Sequence, residues 1–325
     1  MDSTHFNYKY LKSRKVGIIG VSVKEGQDLH GPELAPEHLR SSGLHNVITS
    51  LDWEYLDYGD IKEVDVDKEK HDIKNCKVKN PVEMGAVCGK LHSIATKIAN
   101  SGAFTLTLGG DHGIASGSIS AMKKVYPDLK IIWIDAHADA NTPDSSPSGN
   151  YHGMPVAHLL GWFDNVPGFE WFNPCITKDD IVLIGLRDLD KEERHLLKKN
   201  QIKCFTMHDV LKLGINKVVD EAIKYLNKDG DHPIHISFDI DGVDPSIAYG
   251  TGTKSRGGLL YREAHYLVRE IVSTGCVVGL DMVEINPLLD KPKEHFHGDN
   301  KLIDGTETVA LGLELIASTL GETLL

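Results

Sequence analysis

The chain reads as an α/β protein, a three-layer sandwich in which a central, mostly parallel sheet of about eight strands is flanked by helices on both faces. Three observations predict this. Short β-branched apolar runs alternate with longer helical patterns along all 325 residues, the signature of strands joined by helical crossovers. Most runs are apolar at successive positions, as strands covered on both faces are. Several runs end abruptly in carboxylates and imidazoles, and the C-terminal edge of a parallel sheet is where such folds hold ligands.

In chain order, strands are expected at 15–20 (KVGIIG), 103–109 (AFTLTLG), 130–135 (KIIWID), 181–186 (IVLIGL), 202–205 (IKCF), 233–241 (PIHISFDID) and 276–285 (CVVGLDMVEI). Between them, Val87, Leu91, Ile94 and Ile98 mark one face of a helix. Pro81 suits its first position and Gly102 its stop. Ala264, Leu267, Val268 and Ile271 mark a second helix, with Gly275 beyond its end, and Val309, Leu313, Ile316 and Leu320 a third. No composition shift, repeat or low-complexity tract interrupts the pattern, so one domain over 1–325 is expected, with 1–14 poorly ordered. The charged connections 65–80 and 289–305 read as solvated surface.

The formal net charge of −12 argues against nucleic acid and against an anionic membrane surface. It suits a cationic small ligand or bound metal ions, and equally a solubility role. Cys76, Cys88, Cys175, Cys204 and Cys276 are odd in number and widely spaced, so neither a disulfide framework nor a thiolate zinc site is expected. Cys204 and Cys276, in apolar runs, read as inert core residues. The first residues lack an apolar segment and an amphipathic pattern, and no stretch approaches membrane-spanning length. A cytoplasmic location is expected, with a mitochondrial one left open.

The strand KIIWID runs on into Asp135-x-His137-x-Asp139. Alternate residues of an extended chain point the same way, so all three converge beyond the strand's end. The same event recurs at Asp111-His112, at Asp239-x-Asp241 and at Asp281 with Glu284. If these strands are neighbours, one rim gathers Asp135, Asp139, Asp239, Asp241, His112 and His137. Crowded carboxylates repel unless compensated, and two divalent ions balance four of them. Oxygen donors with two imidazoles are harder than a usual zinc site and suit manganese or a similar octahedral ion. Asp111 is read as a helix cap or the partner of a ligand. Asp244 is read as a turn residue, Asp281 as structural, His235 as a strand histidine, and Arg187 with Asp188 as a structural pair. A second metal site at His295 and His297 is disfavoured.

The stretches GGDHG, DAHADANTP, SGNYHG, SFDIDGVDP and GLDMVEINP, with KEGQDLHGPELAPEHLRSSGL and GLRDLD, resemble the arginase family of ureohydrolases, in order and from about Val16 to Leu320. The resemblance implies two Mn²⁺ ions, one on His112, Asp135, Asp139 and Asp239, the other on His137, Asp135, Asp239 and Asp241. It implies that Asn141, Ser148 and Asn150, with Ser146 a weaker addition, hold a substrate α-carboxylate. Asp190, with Glu193 nearby, is similar to the residue that recognises the α-amine. His152 resembles a flexible proton-transfer histidine, while Glu284 and Thr253 resemble residues facing the guanidinium. The implied reaction is attack by a metal-bridging hydroxide on the guanidinium of L-arginine, with Asp139 passing a proton to the leaving amine, giving L-ornithine and urea. A homotrimer, a cytoplasmic setting and a role in arginine metabolism such as the urea cycle follow from the same resemblance.

Lys254, Ser255 and Arg256 replace a stretch that is usually Pro-Val-like in the family, Ser146 replaces a common threonine, and the loop after EINP is longer. Little chain follows the last helix, and the C-terminal extension that contributes to subunit contacts in some animal arginases is missing. Alternatives are an agmatinase-type or other ureohydrolase, a catalytically silent arginase-like binding protein, and a nucleotide-binding α/β protein. The loop NTPDSSPSGNYHG with Asp190 favours a substrate carrying both α-carboxylate and α-amine. The complete set of six candidate ligands disfavours the silent protein, and the ionisable pair in LGGDHG disfavours a phosphate loop.

Overall fold

A computed structural model of the chain describes residues 7–62, 64–293 and 302–322. Eight strands form one sheet: β1 (Lys15–Val21), β2 (Glu54–Ile61), β3 (Phe104–Leu108), β4 (Lys130–Ile134), β5 (Ile181–Leu186), β6 (Lys203–Thr206), β7 (Ile234–Asp239) and β8 (Val277–Val283). They lie in the order β2-β1-β3-β8-β7-β4-β5-β6, with every pairing parallel. All seven strands expected from apolar runs form. β2 carries no such run because it is an edge strand. Its side chains are largely exposed or half-buried, and its Asp57 and Asp60 hold Arg40 of the helix Ala35–Ser41 at 2.7 and 2.6 Å. Charged residues of this kind blunt a sheet edge.

The two faces follow the two-residue period of an extended chain. Ile132 and Ile134 of β4 join a core shared with the helices Ile215–Leu226, Tyr261–Ser273 and Glu307–Thr319. Ile131 and Trp133 face the opposite layer, built on the helices Pro81–Ser101 and Ala115–Val125. Pro81 opens its helix, and Gly102 closes it in the left-handed region at φ 81°, where a Cβ is penalised. Cys276 is buried, but Cys204, expected in the core, is half-buried because it sits on the opposite edge strand β6. The segment 65–80 is largely exposed, yet Lys77 and Lys79 reach Asp144 and Asp28 at 2.8 Å each. His295 and His297 lie outside the described residues.

Of the stretch 1–14, expected to be poorly ordered, residues 1–6 lie outside the described residues. From Asn7 onward the chain is docked. Tyr8 is buried against Trp53, with ring centroids 5.0 Å apart. Its hydroxyl donates to the Thr319 carbonyl at 2.7 Å, and Trp53 Nε1 donates to the Leu320 carbonyl at 2.9 Å. Both acceptors sit at the C-terminus of the helix Glu307–Thr319, where carbonyls lack partners within the helix. Tyr8→Phe therefore leaves a buried carbonyl unpaired and is expected to destabilise the fold by about 1–2 kcal/mol, measured as a lower urea midpoint with unchanged m-value.

Candidate metal centre and substrate cleft

Strand order does most of the assembly. β3, β8, β7 and β4 are consecutive in the sheet, and these are the four strands whose ends carry the acidic and imidazole residues. Ile134 pairs with Phe238, Phe238 with Met282, and Met282 with Leu108. The residue that follows β4 is Asp135, next in register to Asp239 at the end of β7, and His112 opens the helical turn that follows β3. Two residues of this rim, Asp139 and Glu284, adopt φ of 49° and 62°. Side chains other than glycine rarely take that region, and such strain gathers at functional sites.

His112 Nδ1 lies 3.2 Å from a carboxylate oxygen of each of Asp135, Asp139 and Asp239. The imidazole is fully buried, stacked on Trp133 at 3.8 Å, and its Nδ1 makes no hydrogen bond of good geometry. His137 Nδ1 lies 3.3 Å from Asp135 and 3.1 Å from Asp241. Asp135 thus faces both imidazoles. Backbone groups also hold these carboxylates: His137 N–H donates to Asp135, Ala136 N–H to Asp241, and Asp241 N–H to Asp239. Trp133 Nε1 and the Thr253 hydroxyl complete Asp135 and Asp241.

These groups fit cations. Among protein groups alone, burial and the charges of Asp241 and Asp135 push Asp239 well above the usual carboxylate range, and burial with Asp135 pushes Asp139 up to about 6. Burial also works against Asp135, but His112 and His137 outweigh it and hold that carboxyl low. A rim that cannot keep all its carboxylates ionised alone, facing a partnerless buried nitrogen, matches the donor set of a hard divalent ion. His112, Asp135 and Asp139 form one group able to hold an ion; Asp135, His137 and Asp241 form another.

Behind the rim, Glu284 is fully buried. Its Oε1 accepts the His112 backbone N–H at 2.9 Å and His152 Nδ1 at 3.0 Å, and its Oε2 accepts Gln27 Nε2. Burial works to lower His152, but the Glu284 carboxylate overrides it and lifts the imidazole to about 9. Gln27 lies in the stretch KEGQDLHGPELAPEHLRSSGL, but nothing local in the sequence assigns it a partner. Asp111, read as a cap or ligand partner, accepts from Gly26 and Gly113 N–H. A Cβ at Gly26 would collide with it.

A cleft of about 240 Å³ opens over the rim. Its walls include His137, Asp139, Asn141, Ser146, Ser148, His152, Asp190, Glu193 and Thr253. Asn141 Nδ2 donates to Asp190 at 3.0 Å, and burial raises Glu193 to about 8. Asn150 and Glu284 are not on the wall. Asn150 Nδ2 instead donates to Asp28, which Lys79 also holds. Asp188 lines the cleft without pairing with Arg187. That guanidinium is occupied by carbonyl oxygens of Asp241, Gly242 and Ser255, which ties the departing stretch 254–256 to the rim. Asp244 caps its own turn as expected, accepting from Ser246, Gly257 and Gly258.

The sequence profile described as "Arginase family" matches residues 14–321. The arginase of Plasmodium berghei (strain Anka) is 42% identical over 95% of this chain and 93% of its own. Human arginase-1 is 45% identical over 87% and 88% of the two chains. The solved arginase of Bacillus caldovelox superposes with a TM-score of 0.84 at 35% identity, covering 96% of this chain and 99% of that one.

The His152–Glu284 contact has a pH signature. A histidine whose folded pKa is raised above 6.5 stabilises the fold fully below that value and loses the contribution as pH rises through about 9. In chelator-treated protein, His152 should titrate by NMR near 9, and Glu284→Gln should bring the midpoint down. A wild-type midpoint at 6.5 would rule the contact out.

Proposed function

The chain belongs to the arginase family, and from that premise we propose that it hydrolyses the guanidinium group of L-arginine to L-ornithine and urea at a pair of Mn²⁺ ions. The observation that carries this reading is the meeting of His112 with Asp135, Asp139 and Asp239 at 3.2 Å each, with His137 on the far side of Asp135. His112, Asp135, Asp139 and Asp239 would hold one ion, and His137, Asp135, Asp239 and Asp241 would hold the other. When bound, such a pair supplies Lewis acidity that makes hydroxide available at neutral pH.

The chain's own groups do the rest. Guanidinium is a delocalised, poorly electrophilic cation, so it must be oriented and its leaving amine protonated. Glu284, buried just off the cleft wall, is in this reading the anion that pairs with it. His152 already occupies Glu284 Oε1, so substrate entry displaces the imidazole from its partner. His152 then carries protons between solvent and the site. Asp139, on the cleft wall, takes the proton of the attacking water and hands it to the leaving nitrogen. Asn141, Ser146, Ser148 and Asn150 hold the α-carboxylate, Asp190 and Glu193 the α-amine side, and Thr253 positions Asp241 through its 2.7 Å hydrogen bond. The resemblance also supports one arginase-like domain, a homotrimer, a cytoplasmic location and a place in arginine breakdown of the urea-cycle kind. No helix among the described residues is long and apolar enough to cross a membrane.

Protein stripped with chelator and reloaded with manganese should release urea from L-arginine and far less from agmatine, which lacks the carboxylate. Urea mainly from agmatine would overturn the substrate assignment. Ser148→Ala and Asn150→Ala should each lower kcat/KM on arginine by about 10–100-fold, as loss of a hydrogen bond to a charged group does, with little change on agmatine.

A further inference from the structure

The sequence leaves Asp281 and His235 with structural roles. The structure buries both at zero exposure, with Asp281 beyond Ser237 from His112 and His235 beside Asp281. His112 Nε2 lies 2.9 Å from the Ser237 hydroxyl. Apart from His112 Nε2 itself, that hydroxyl reaches one acceptor among the described residues, Asp281 Oδ2, at 3.5 Å. Asp281 Oδ2 also accepts the Ser118 hydroxyl at 2.6 Å and lies 2.9 Å from His235 Nε2. Asp281 sits on β8, Ser237 and His235 on β7, and Ser118 on the helix Ala115–Val125. The line therefore crosses the middle of the sheet and ends at the metal rim.

We propose that Asp281, acting through Ser237, sets the tautomer of His112 and so presents Nδ1 to the metal as a lone pair. The inference rests on the reading of His112 as a metal ligand. A serine hydroxyl has one proton to give. A buried carboxylate can only accept, so that proton goes to Asp281. Ser237 Oγ is then an acceptor toward His112, which must keep its proton on Nε2. When His112 gives up a proton to ligate, it comes from Nδ1, the nitrogen facing the three aspartates. Fixing a ligating imidazole through its other nitrogen is a general device of metal sites. Here the fixing anion stands one residue removed, relayed by a hydroxyl. Asp281 is a positioning residue in this account and touches neither substrate nor metal.

The decisive variant is Asp281→Asn. It keeps the shape but gives Ser237 a donor instead of an obligate acceptor, freeing the hydroxyl proton to point at His112 and favour the wrong tautomer, the effect a buried Asp→Asn change has behind a catalytic histidine. Ser118→Ala is the control. It removes a shorter hydrogen bond to the same carboxylate but leaves the relay intact. Free Mn²⁺ would be measured by electron paramagnetic resonance during titration of stripped protein, and thermal unfolding would be followed without metal. Asp281→Asn is expected to weaken manganese binding by about 10–100-fold, while Ser118→Ala keeps wild-type affinity even if it lowers the metal-free Tm as much. Equal affinity in wild type and Asp281→Asn, or equal losses in both variants, would overturn the relay. If Asp281→Asn does not fold, Ser237→Ala takes its place, and wild-type affinity there would overturn it equally. Wild-type protein that binds no manganese would sink the metal reading itself, a separate outcome.

Discussion

Mutual repulsion among buried carboxylates is the constraint on which this molecule is built. Asp135, Asp139, Asp239 and Asp241 are all nearly or fully buried at one edge of the sheet. Ionised and unpaired, they would be severely unfavourable in so dry a place. Three backbone N–H groups, an indole N–H and a threonine hydroxyl soften the repulsion, yet Asp139 and Asp239 are still pushed upward. The two imidazoles aimed at the same atoms offset part of the charge, and the donor set they complete is one that fits a cation.

The sheet makes such crowding possible. A parallel sheet buried on both faces gives rigid, registered strands, and its C-terminal edge collects whatever the strands carry there. Placing β8 and β7 between β3 and β4 brings residues more than a hundred positions apart into one cluster. Two backbones at unfavourable φ, at Asp139 and Glu284, turn side chains inward that a regular strand end would point elsewhere. The surrounding network over-determines them: Asp139 carbonyl accepts from Val156 N–H, and Glu284 N–H donates to the Gly110 carbonyl.

Much of this was legible in the sequence, for physical reasons. Strands covered on both faces announce themselves as apolar runs, so β1, β3 to β5, β7 and β8 could be read, as could the short apolar edge strand β6, whereas the edge strand β2, rich in acids, could not. Alternation at 135, 137 and 139 survives as geometry because an extended chain has a period of two. What escaped was whatever depends on contacts between distant segments. Gln27 meets Glu284 across 257 positions, and no local pattern marks that pairing. Arg187 next to Asp188 suggested a pair, but adjacent side chains on extended backbone diverge, and the guanidinium found carbonyl oxygens instead. Asn150 reaches Asp28 beside Lys79, a contact made by three separate loops.

Under the proposed function the carboxylate rim takes two cations that depend on Asp135 and Asp239. Calorimetric titration of chelator-stripped protein with manganese tests it most directly, alongside Asp239→Asn, which keeps the shape and removes one charge. Two ions per chain are expected for the wild type, with loss of tight binding at both positions in the variant. One ion or none in the wild type, or an unchanged isotherm in Asp239→Asn, would contradict it.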